Sequence, residues 1–321
     1  MNILLKFFIV VGLAFVVLNI ALLARFYAGK RNITAYNHEM TQHKVDLAPV
    51  EHLTVLPIVD LLAESENYKT EPGTSFLIKT DNDSILFDVG YNIKKEETSP
   101  LLHNLKELNI SLDDINIMAI SHNHADHVGG FCFRDKRVEL TKGKVDLNCK
   151  LILTPIPMTC ESAVVRTVDK PTLIAENIAS TGPLAEQMFI PGTLNEQSLL
   201  VNLKGKGLVL ISGCGHPGII TMVKAAQKIT GIPVYAVVGG LHLYYTQPQV
   251  GFWGNIFGSS KLYCGTPSQK EVTNIIDELK QLGVKKVFIS PHDADKPTLD
   301  IFADKFGLDF EALKVGRLVI F

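Results

Sequence analysis

Short apolar runs, separated by polar and glycine-containing segments, repeat along most of the chain. Several have the length and the Val, Ile and Leu content of buried β-strands, and they predict strands at residues 53–59, 75–80, 84–88, 115–121, 199–203, 208–212, 233–238 and 286–290. Apolar residues at helical spacing instead predict helices at residues 101–108, from near Gly218, and after Thr266. Residues 131–190 are less regular and contain several prolines, which predicts a covering segment.

The helix after Thr266 has the clearest predicted boundaries. Thr266, Pro267 and Gln269 fit the N-cap, N1 and N3 positions of a capping box, and Gly283 is a typical residue after a helix end. The strand predicted next ends just before His292. We therefore expect His292 to lie at the edge of a sheet.

The N-terminus has a different pattern from the rest. Asn19 is the only strongly polar residue between Phe7 and Ala24, and as a helix this run would be about 27 Å long, close to the thickness of a bilayer core. We predict an uncleaved single-pass membrane anchor at residues 1–32, a polar tether at 33–50 and one globular domain at 51–321. A cleaved signal peptide and a buried soluble helix are the alternatives. The lipid bilayer is the partner expected for residues 7–24. The flanking charges are slightly heavier on the C-terminal side and favour a cytoplasmic domain, but a short N-terminal anchor could equally display an exported one, so the side stays open.

The composition of the chain excludes few classes of function. The chain has 321 residues, 46% of them hydrophobic, and 31 basic against 33 acidic side chains give a net charge of −2. This balance does not favour a nucleic-acid partner, for which a basic patch is typical. The cysteines are odd in number and include no C-x-x-C pair, so they do not decide the redox compartment; Cys132 and Cys149 could bridge in an exported protein. Oligomeric state is not indicated.

The chemically most specific segment is Ser-His-Asn-His-Ala-Asp-His at residues 121–127, which follows a predicted strand. Residues at i and i+2 of an extended segment point to the same side, so His122 and His124 can share one metal ion. Asp126 and His127 come slightly later and can reach a second ion. Imidazole and carboxylate ligands suit zinc, and also iron or manganese. We therefore expect two divalent metal ions, with zinc favoured.

Together with this motif, four stretches make the chain similar to the metallo-β-lactamase superfamily. They are Gly73 to Ile78 with Ile85 to Gly90, Asn104 to Leu108, Ser212 to Ile219, and Val238 to Leu243. The resemblance covers residue 53 to the C-terminus and is closest to the dihydropterin-ribofuranosylaminobenzene phosphate synthase-like branch. It implies a four-layer αββα sandwich, an α/β fold, here carrying an N-terminal transmembrane helix. The branch usually has a Pro-x-His-Cys-Thr-Gly-like stretch, whereas this chain has Pro-His-Asp-Ala-Asp at 291–295.

The resemblance also implies how the ligands are divided. His122 and His124 would hold the first metal ion with His216 as the chosen third ligand, and Asp126, His127 and His292 would hold the second. In many superfamily members an aspartate bridges the two ions near the place where this chain has Cys214. Cys214 could therefore bridge or remain unligated, and Glu196 is a further candidate ligand. Asp88 is expected to orient a ligand histidine or a loop amide rather than bind metal.

These expectations predict a membrane-anchored dinuclear-metal hydrolase, or a related transferase, that uses a metal-bound hydroxide on a small phosphorylated or pterin-like substrate. Asp126 and His242 are the candidate catalytic residues for proton transfer, although His242 could instead be a ligand or a core histidine. A di-iron redox protein and a catalytically weak metal-containing binding protein are the alternative hypotheses. The aromatic segment 244–266 could form a lid or substrate wall, or pack on the core or the membrane surface.

Overall fold

The computed structural model describes residues 2–143, 145–147, 150–244, 256 and 259–321. Side chains alternate between the two faces of each strand, as the pleat of a strand requires. In the strand Ser75–Thr80, Phe76 and Ile78 join one apolar cluster and Leu77 joins another. Strands that are apolar on both faces must be covered on both faces, and this requirement produces a layered fold.

The strands form two mixed sheets and one separate hairpin. In chain order they are β1 Pro49–Val50, β2 Leu53–Val59, β3 Ser75–Thr80, β4 Ser84–Phe87, β5 Ile117–Ala119, β6 Leu151–Thr154, β7 Val164–Thr167, β8 Thr172–Leu173, β9 Ile178–Ser180, β10 Leu184–Gln187, β11 Thr193–Glu196, β12 Leu199–Leu203, β13 Gly207–Ser212, β14 Val234–Gly239, β15 Lys286–Ile289, β16 Phe310–Ala312 and β17 Val319–Ile320. The first sheet has the order β17-β2-β3-β4-β5-β6-β7. The second has the order β16-β15-β14-β13-β12-β9-β8, with β1 also paired to β12, and β10 pairs with β11 in the hairpin.

Helices cover the outer faces of the two sheets. The α-helices are α1 Ile3–Met40, α2 Pro100–Glu107, α3 Ala125–Val128, α4 Ile219–Thr230, α5 Gln269–Gln281 and α6 Lys296–Phe306. Short 3₁₀ segments lie at Leu112–Asp114, Phe131–Asp135, Leu262–Cys264, Pro291–Asp293 and Gly307–Asp309.

Three buried apolar layers hold the sandwich together. Phe76 and Phe87 of the first sheet pack with Val209 and Val238 of the second, which fills the space between the sheets. Outside the second sheet, the buried cluster includes residues of α4, α5 and α6, and outside the first sheet it includes residues of α2. This arrangement is the αββα sandwich expected from the resemblance.

Most of the predicted elements are present, with two differences. Helix α5 begins two residues later than predicted, because Ser268 is its N-cap and Glu271 its N3 residue, and these two side chains complete the capping box. The segment 131–190, predicted to be irregular, contributes β6 to β10. These strands are short, so their sequences carry little periodic signal.

Helix α1 is long and apolar enough to cross a membrane, and it is also longer than the predicted anchor. Its residues from Ile3 to Ala24 are mostly exposed, but it continues without a break to Met40. The helix therefore passes through the first part of the segment predicted as a polar tether, and that part is helical rather than extended. The remainder of the segment is also attached to the domain, since Val45, Leu47 and Val50 are buried.

The second half of α1 packs against the β10 edge of the hairpin. The Arg25 guanidinium donates to the carbonyls of Phe189 and Ile190, at 2.7 and 2.6 Å from Nη2. Asn37 pairs with the backbone of Ala185 in both directions, accepting from its N–H at 2.7 Å and donating to its carbonyl at 2.8 Å. Polar residues in this part of the helix thus bind the domain.

Candidate metal centre

The residues predicted to bind metal lie where strands of the two sheets end. β4 and β5 are parallel neighbours in the first sheet, and β13, β14 and β15 are parallel neighbours in the second. The carboxyl ends of parallel strands meet at one edge, where side chains of the following loops converge. The residues that follow these strand ends are Asp88, His122, Cys214, His242 and His292.

His122, His124 and His216 form the first group of donors. Their ligand atoms all lie within 4.8 Å of one another, and His216 Nε2 is 3.1 Å from His124 Nδ1. Buried His122 Nε2 and His216 Nδ1 have no hydrogen-bond partner among the described residues. A buried nitrogen without a partner is costly unless another group binds it. The three imidazoles therefore fit a metal ion.

The second group consists of Asp126, His127, Cys214 and His292, whose ligand atoms also lie within 4.8 Å of one another. Cys214 Sγ is 2.9 Å from His127 Nε2 and 3.3 Å from His292 Nε2. Asp126 Oδ2 is 3.6 Å from His127 Nε2 and 3.9 Å from His292 Nε2. Nitrogen, sulfur and carboxylate donors in one cluster suit zinc.

The two groups are adjacent. The rings of His122 and His127, one from each group, have centroids 4.1 Å apart. The donors in each group match the division expected from the resemblance, and Cys214 joins the second group. This arrangement fits a pair of divalent metal ions held side by side.

Two buried aspartates orient histidines of these groups. Asp88 accepts from the Ser121 N–H at 2.6 Å and the Ser121 hydroxyl at 2.7 Å, and its Oδ2 lies 2.7 Å from His127 Nδ1. Asp60 accepts from the Ser290 hydroxyl at 2.6 Å and from the His292 N–H at 3.2 Å. Each serine also reaches an imidazole, Ser121 at His122 Nδ1 and Ser290 at His292 Nδ1, at 2.9 and 2.8 Å. Such contacts fix which nitrogen of a histidine faces a metal.

Glu196, a candidate ligand from the sequence, lies outside both donor groups. Its carboxylate accepts the backbone N–H groups of Cys214, Gly215 and His216, at 3.1, 2.9 and 2.8 Å. It therefore shapes the loop that carries a donor of each group, instead of lying in a donor group itself. Burial raises the pKa of Glu196 to about 7, although the backbone donors oppose this shift.

His242 is held by Asp293 at the edge of the first group. Asp293 Oδ2 accepts the His242 N–H at 2.9 Å, and its Oδ1 lies 3.0 Å from His242 Nδ1. His242 also has a positive φ of 51°, a conformation that is unusual for a residue with a side chain. Its ring lies 4.4 Å from that of His216, centroid to centroid. Strain retained next to a donor group is typical of a functional position.

The two donor groups differ in the pKa values of their histidines. Burial lowers the pKa of His122 and His216 well below the usual value and lowers that of His124 to about 4. For His127, burial acts in the same direction, but the charges of Asp88 and Asp126 outweigh it and raise its pKa to about 9. Burial also raises the pKa of the Cys214 thiol well above its usual value. Without metal, the first group is therefore neutral at pH 7, whereas in the second group His127 and Cys214 each carry a proton that a metal ion bound to them must displace.

A cavity of about 250 Å³ adjoins the donor groups. His216 and His242 line it at the metal end, and Ile219, Leu243 and Ile275 contribute apolar wall. Tyr244, at the start of the aromatic segment 244–266, also lines it, and its hydroxyl lies 3.3 Å from His242 Nε2. Tyr245, Phe252, Trp253 and Phe257 of that segment lie outside the described residues, as does Cys149.

Sequence reasoning singled out every donor in the two groups, but it missed three residues that hold them. Asp60 follows the end of β2, and Ser121 and Ser290 follow β5 and β15, so their positions at strand ends were the available signal. Asp293 was noticed only as a departure from the branch pattern.

The fold and the donor set can be compared with known proteins. A crystal structure of a metal-dependent hydrolase of the β-lactamase superfamily superposes with a TM-score of 0.58, over 84% of this chain and 98% of that one, at 21% identity. The 7,8-dihydropterin-6-methyl-4-(β-D-ribofuranosyl)-aminobenzene-5′-phosphate synthase of Methanocaldococcus jannaschii is 24% identical over 320 residues, which cover 86% of this chain and 99% of the synthase. The family described as "Anti-Pycsar protein Apyc1" matches residues 64–144.

These comparisons confirm the fold and the resemblance predicted from the sequence. The chain has the metallo-β-lactamase fold with an N-terminal apolar helix, and its relatives include the dihydropterin-related synthase. Proteins of this fold bind metal ions, which agrees with the two donor groups.

Proposed function

We propose that the protein is a metal-dependent hydrolase, or a related transferase, that cleaves a phosphoester bond in a small substrate. The observation that carries the proposal is the pair of adjacent donor groups, His122, His124 and His216 beside Asp126, His127, Cys214 and His292. When bound, a pair of divalent ions such as zinc polarises a phosphoryl oxygen and lowers the pKa of water.

The nature of the substrate rests on two further observations. The relative from M. jannaschii is named for a product that carries a 5′-phosphate, so a phosphorylated substrate is the natural expectation for this chain. The cavity beside His216 and His242 is large enough to admit a group next to the donors. A pterin-like portion would have to pack against the apolar wall that includes Leu243 and Ile275.

His242 is proposed to protonate the leaving oxygen. Asp293 accepts both its backbone N–H and its ring Nδ1–H, which fixes the ring and stabilises its charged form. Nε2 is then the nitrogen that can donate. As the P–O bond breaks, the proton passes from Nε2 to the departing oxygen, and Asp126 accepts a proton from the attacking water.

Membrane attachment is the second part of the proposal. The exposed apolar residues of α1 between Ile3 and Ala24 support the proposal of an uncleaved membrane anchor, and Arg25 and Asn37 join the same helix to the domain. Cleavage within the apolar run would leave that docked half in place, whereas cleavage after it would remove part of the interface.

The test is turnover of bis-p-nitrophenyl phosphate by the purified full-length protein with its metal content measured. We expect hydrolysis by the wild type. Because p-nitrophenolate leaves without a proton, His242→Gln should change this rate little, whereas on diphenyl phosphate, whose phenolate needs a proton, kcat should fall by about 100-fold or more, the usual size of a general-acid contribution. Leu308→Ser, at a fully exposed position, is the control and should match the wild type. Full metal content without turnover would instead support the hypothesis of a binding protein.

A further inference from the structure

The point at which α1 would leave the membrane lies beside the cavity. Arg25 is the first charged residue after the apolar run, so in a spanning helix it marks the bilayer surface. The next residue, Phe26, is buried and packs edge-on against Phe189, with ring centroids 5.6 Å apart. Phe189 in turn contacts Tyr263, with centroids 5.1 Å apart. Two successive ring contacts thus connect the surface end of the helix with Tyr263.

The same contacts continue to the cavity wall. The Phe189 N–H donates to the Ser259 carbonyl at 3.1 Å, and Ser259 lines the cavity that His216 and His242 also line. Residues 259–261 form part of the wall and lead directly into Leu262 and Tyr263, which are 38% and 62% exposed. Apolar and aromatic side chains are therefore exposed where the wall faces the bilayer surface.

The docking of α1 is rigid enough to fix this geometry. The Lys30 ammonium pairs with Glu186, whose side chain is largely buried. Gly29 lies so close to the Gln187 side chain that a Cβ there would meet Oε1 at 2.0 Å. With the Arg25 and Asn37 contacts, polar and steric contacts along about three turns hold the helix on β10 and the residues just after it. The bilayer-spanning half of the helix therefore determines which face of the domain meets the lipid.

The face of the domain that would meet the lipid has both apolar and polar groups, as binding of an amphiphile requires. Tyr and Trp rings are enriched at the bilayer interface because one end is apolar and the other is wet, and both Tyr27 and Tyr263 are exposed here, each by about three fifths. Lys261 and Glu271 form an ion pair in the same wall, so this pair adds polar groups near the head-group end without net charge. Beyond it, Ile219, Leu243 and Ile275 offer apolar surface up to His216.

We propose that the site acts on a membrane-resident phosphoester amphiphile, whose head group reaches the donor groups while its alkyl chain lies along the apolar wall and the Leu262–Tyr263 rim. This inference rests on the proposed function and names the substrate class for the same site. It also gives α1 a role beyond attachment, because the helix holds the rim of the cavity against the lipid from which the substrate comes.

The experiment uses full-length protein in phosphatidylcholine vesicles with zinc and two matched probes, p-nitrophenyl methyl phosphate and p-nitrophenyl hexadecyl phosphate. Both release the same p-nitrophenolate, so kcat/KM can be compared directly. We expect the hexadecyl probe to be favoured by at least about tenfold, an amount that burial of two methylene groups already supplies. In Leu262→Ser/Tyr263→Ser the ratio should fall by about threefold or more, whereas Leu308→Ser should keep the wild-type ratio.

The outcomes separate this inference from the function on which it rests. Hydrolysis of both probes with a ratio near one would overturn the inference and leave the proposed hydrolase intact. A high ratio that the rim variant does not lower would also overturn it, because tethering near the vesicle would then explain the preference. No hydrolysis of either probe by metal-loaded protein would contradict the proposed function, and the inference with it.

Discussion

In each donor group a serine hydroxyl links a buried aspartate to a histidine: Ser121 does so in the first group and Ser290 in the second. Each donates to a buried aspartate, Asp88 or Asp60, and lies within 2.9 Å of the Nδ1 of the next histidine, His122 or His292. Because the hydroxyl proton goes to the aspartate, the histidine must donate its Nδ1–H to the serine. Each Nε2 is then left with its lone pair for a metal ion.

Replacing Ser290 tests this relationship. Ser290→Ala should lower metal affinity at the second donor group by about 10- to 100-fold, the usual cost of losing a contact that orients a ligand. Competition with a chelator measures the affinity. Thr273→Ala, at a half-buried position of α5 outside both donor groups, is the matched control and should bind metal as the wild type does. Equal affinity in Ser290→Ala would show that His292 is oriented by its other contacts.

The two groups should lose metal at different pH values. Metal binding to the second group must displace the proton of His127, whose pKa is about 9, so affinity should fall by at least about tenfold for each pH unit below 9, and more steeply if the Cys214 thiol also gives up its proton to the metal. In the first group the pKa of His124 is about 4, and proton competition begins only near that pH. Dialysis between pH 8 and pH 5 followed by elemental analysis should show the second group emptying first. Simultaneous loss would contradict the assignment.

Asp126 should matter for both binding and turnover. Asp126→Ala removes the carboxylate of the second group, so metal stoichiometry and hydrolysis of bis-p-nitrophenyl phosphate should fall together. Asp146→Ala, a carboxylate outside both groups, is the control. A variant with normal metal content and a normal rate would exclude Asp126 from the site.

The position of a truncation should decide the stability of the domain. Removing residues 2–23 deletes most of the exposed apolar run and keeps Arg25, Phe26 and Lys30 on the hairpin. Removing residues 2–32 also deletes those contacts, and loss of the buried Phe26 ring alone should cost about 3 kcal/mol. Chemical denaturation of the two soluble proteins measures the difference. Equal stability would show that the docked half of α1 contributes little.

The sequence predicted the histidine motif and most strands and helices, because these features depend on the spacing of nearby residues. His122, His124, Asp126 and His127 lie within six residues, and the strand before them is a short, mostly apolar run. The positions of His216 and His292 followed from strand ends in a parallel sheet. The strands and helices could be predicted because the side chains that pack against neighbouring elements must be apolar. Their spacing along the sequence therefore shows the type of element.

The features that the sequence did not predict depend on contacts between distant parts of the chain. Asp60 and Ser290 are separated by 230 positions, and no local pattern pairs them. Glu196 was a reasonable ligand by residue type, but the position of the Cys214–His216 loop directs its carboxylate to backbone amides. Likewise, the polar residues of segment 33–50 suggested a tether, and no local pattern indicates the contact of Asn37 with Ala185, 148 positions away.

The most direct test of the central claim is the metal content per chain of the purified full-length protein, together with His124→Ala and His292→Ala. If the two donor groups hold adjacent ions, the wild type should contain two ions per chain, and each variant should retain about one. One ion or none in metal-replete wild type, or an unchanged content in both variants, would contradict the dinuclear centre.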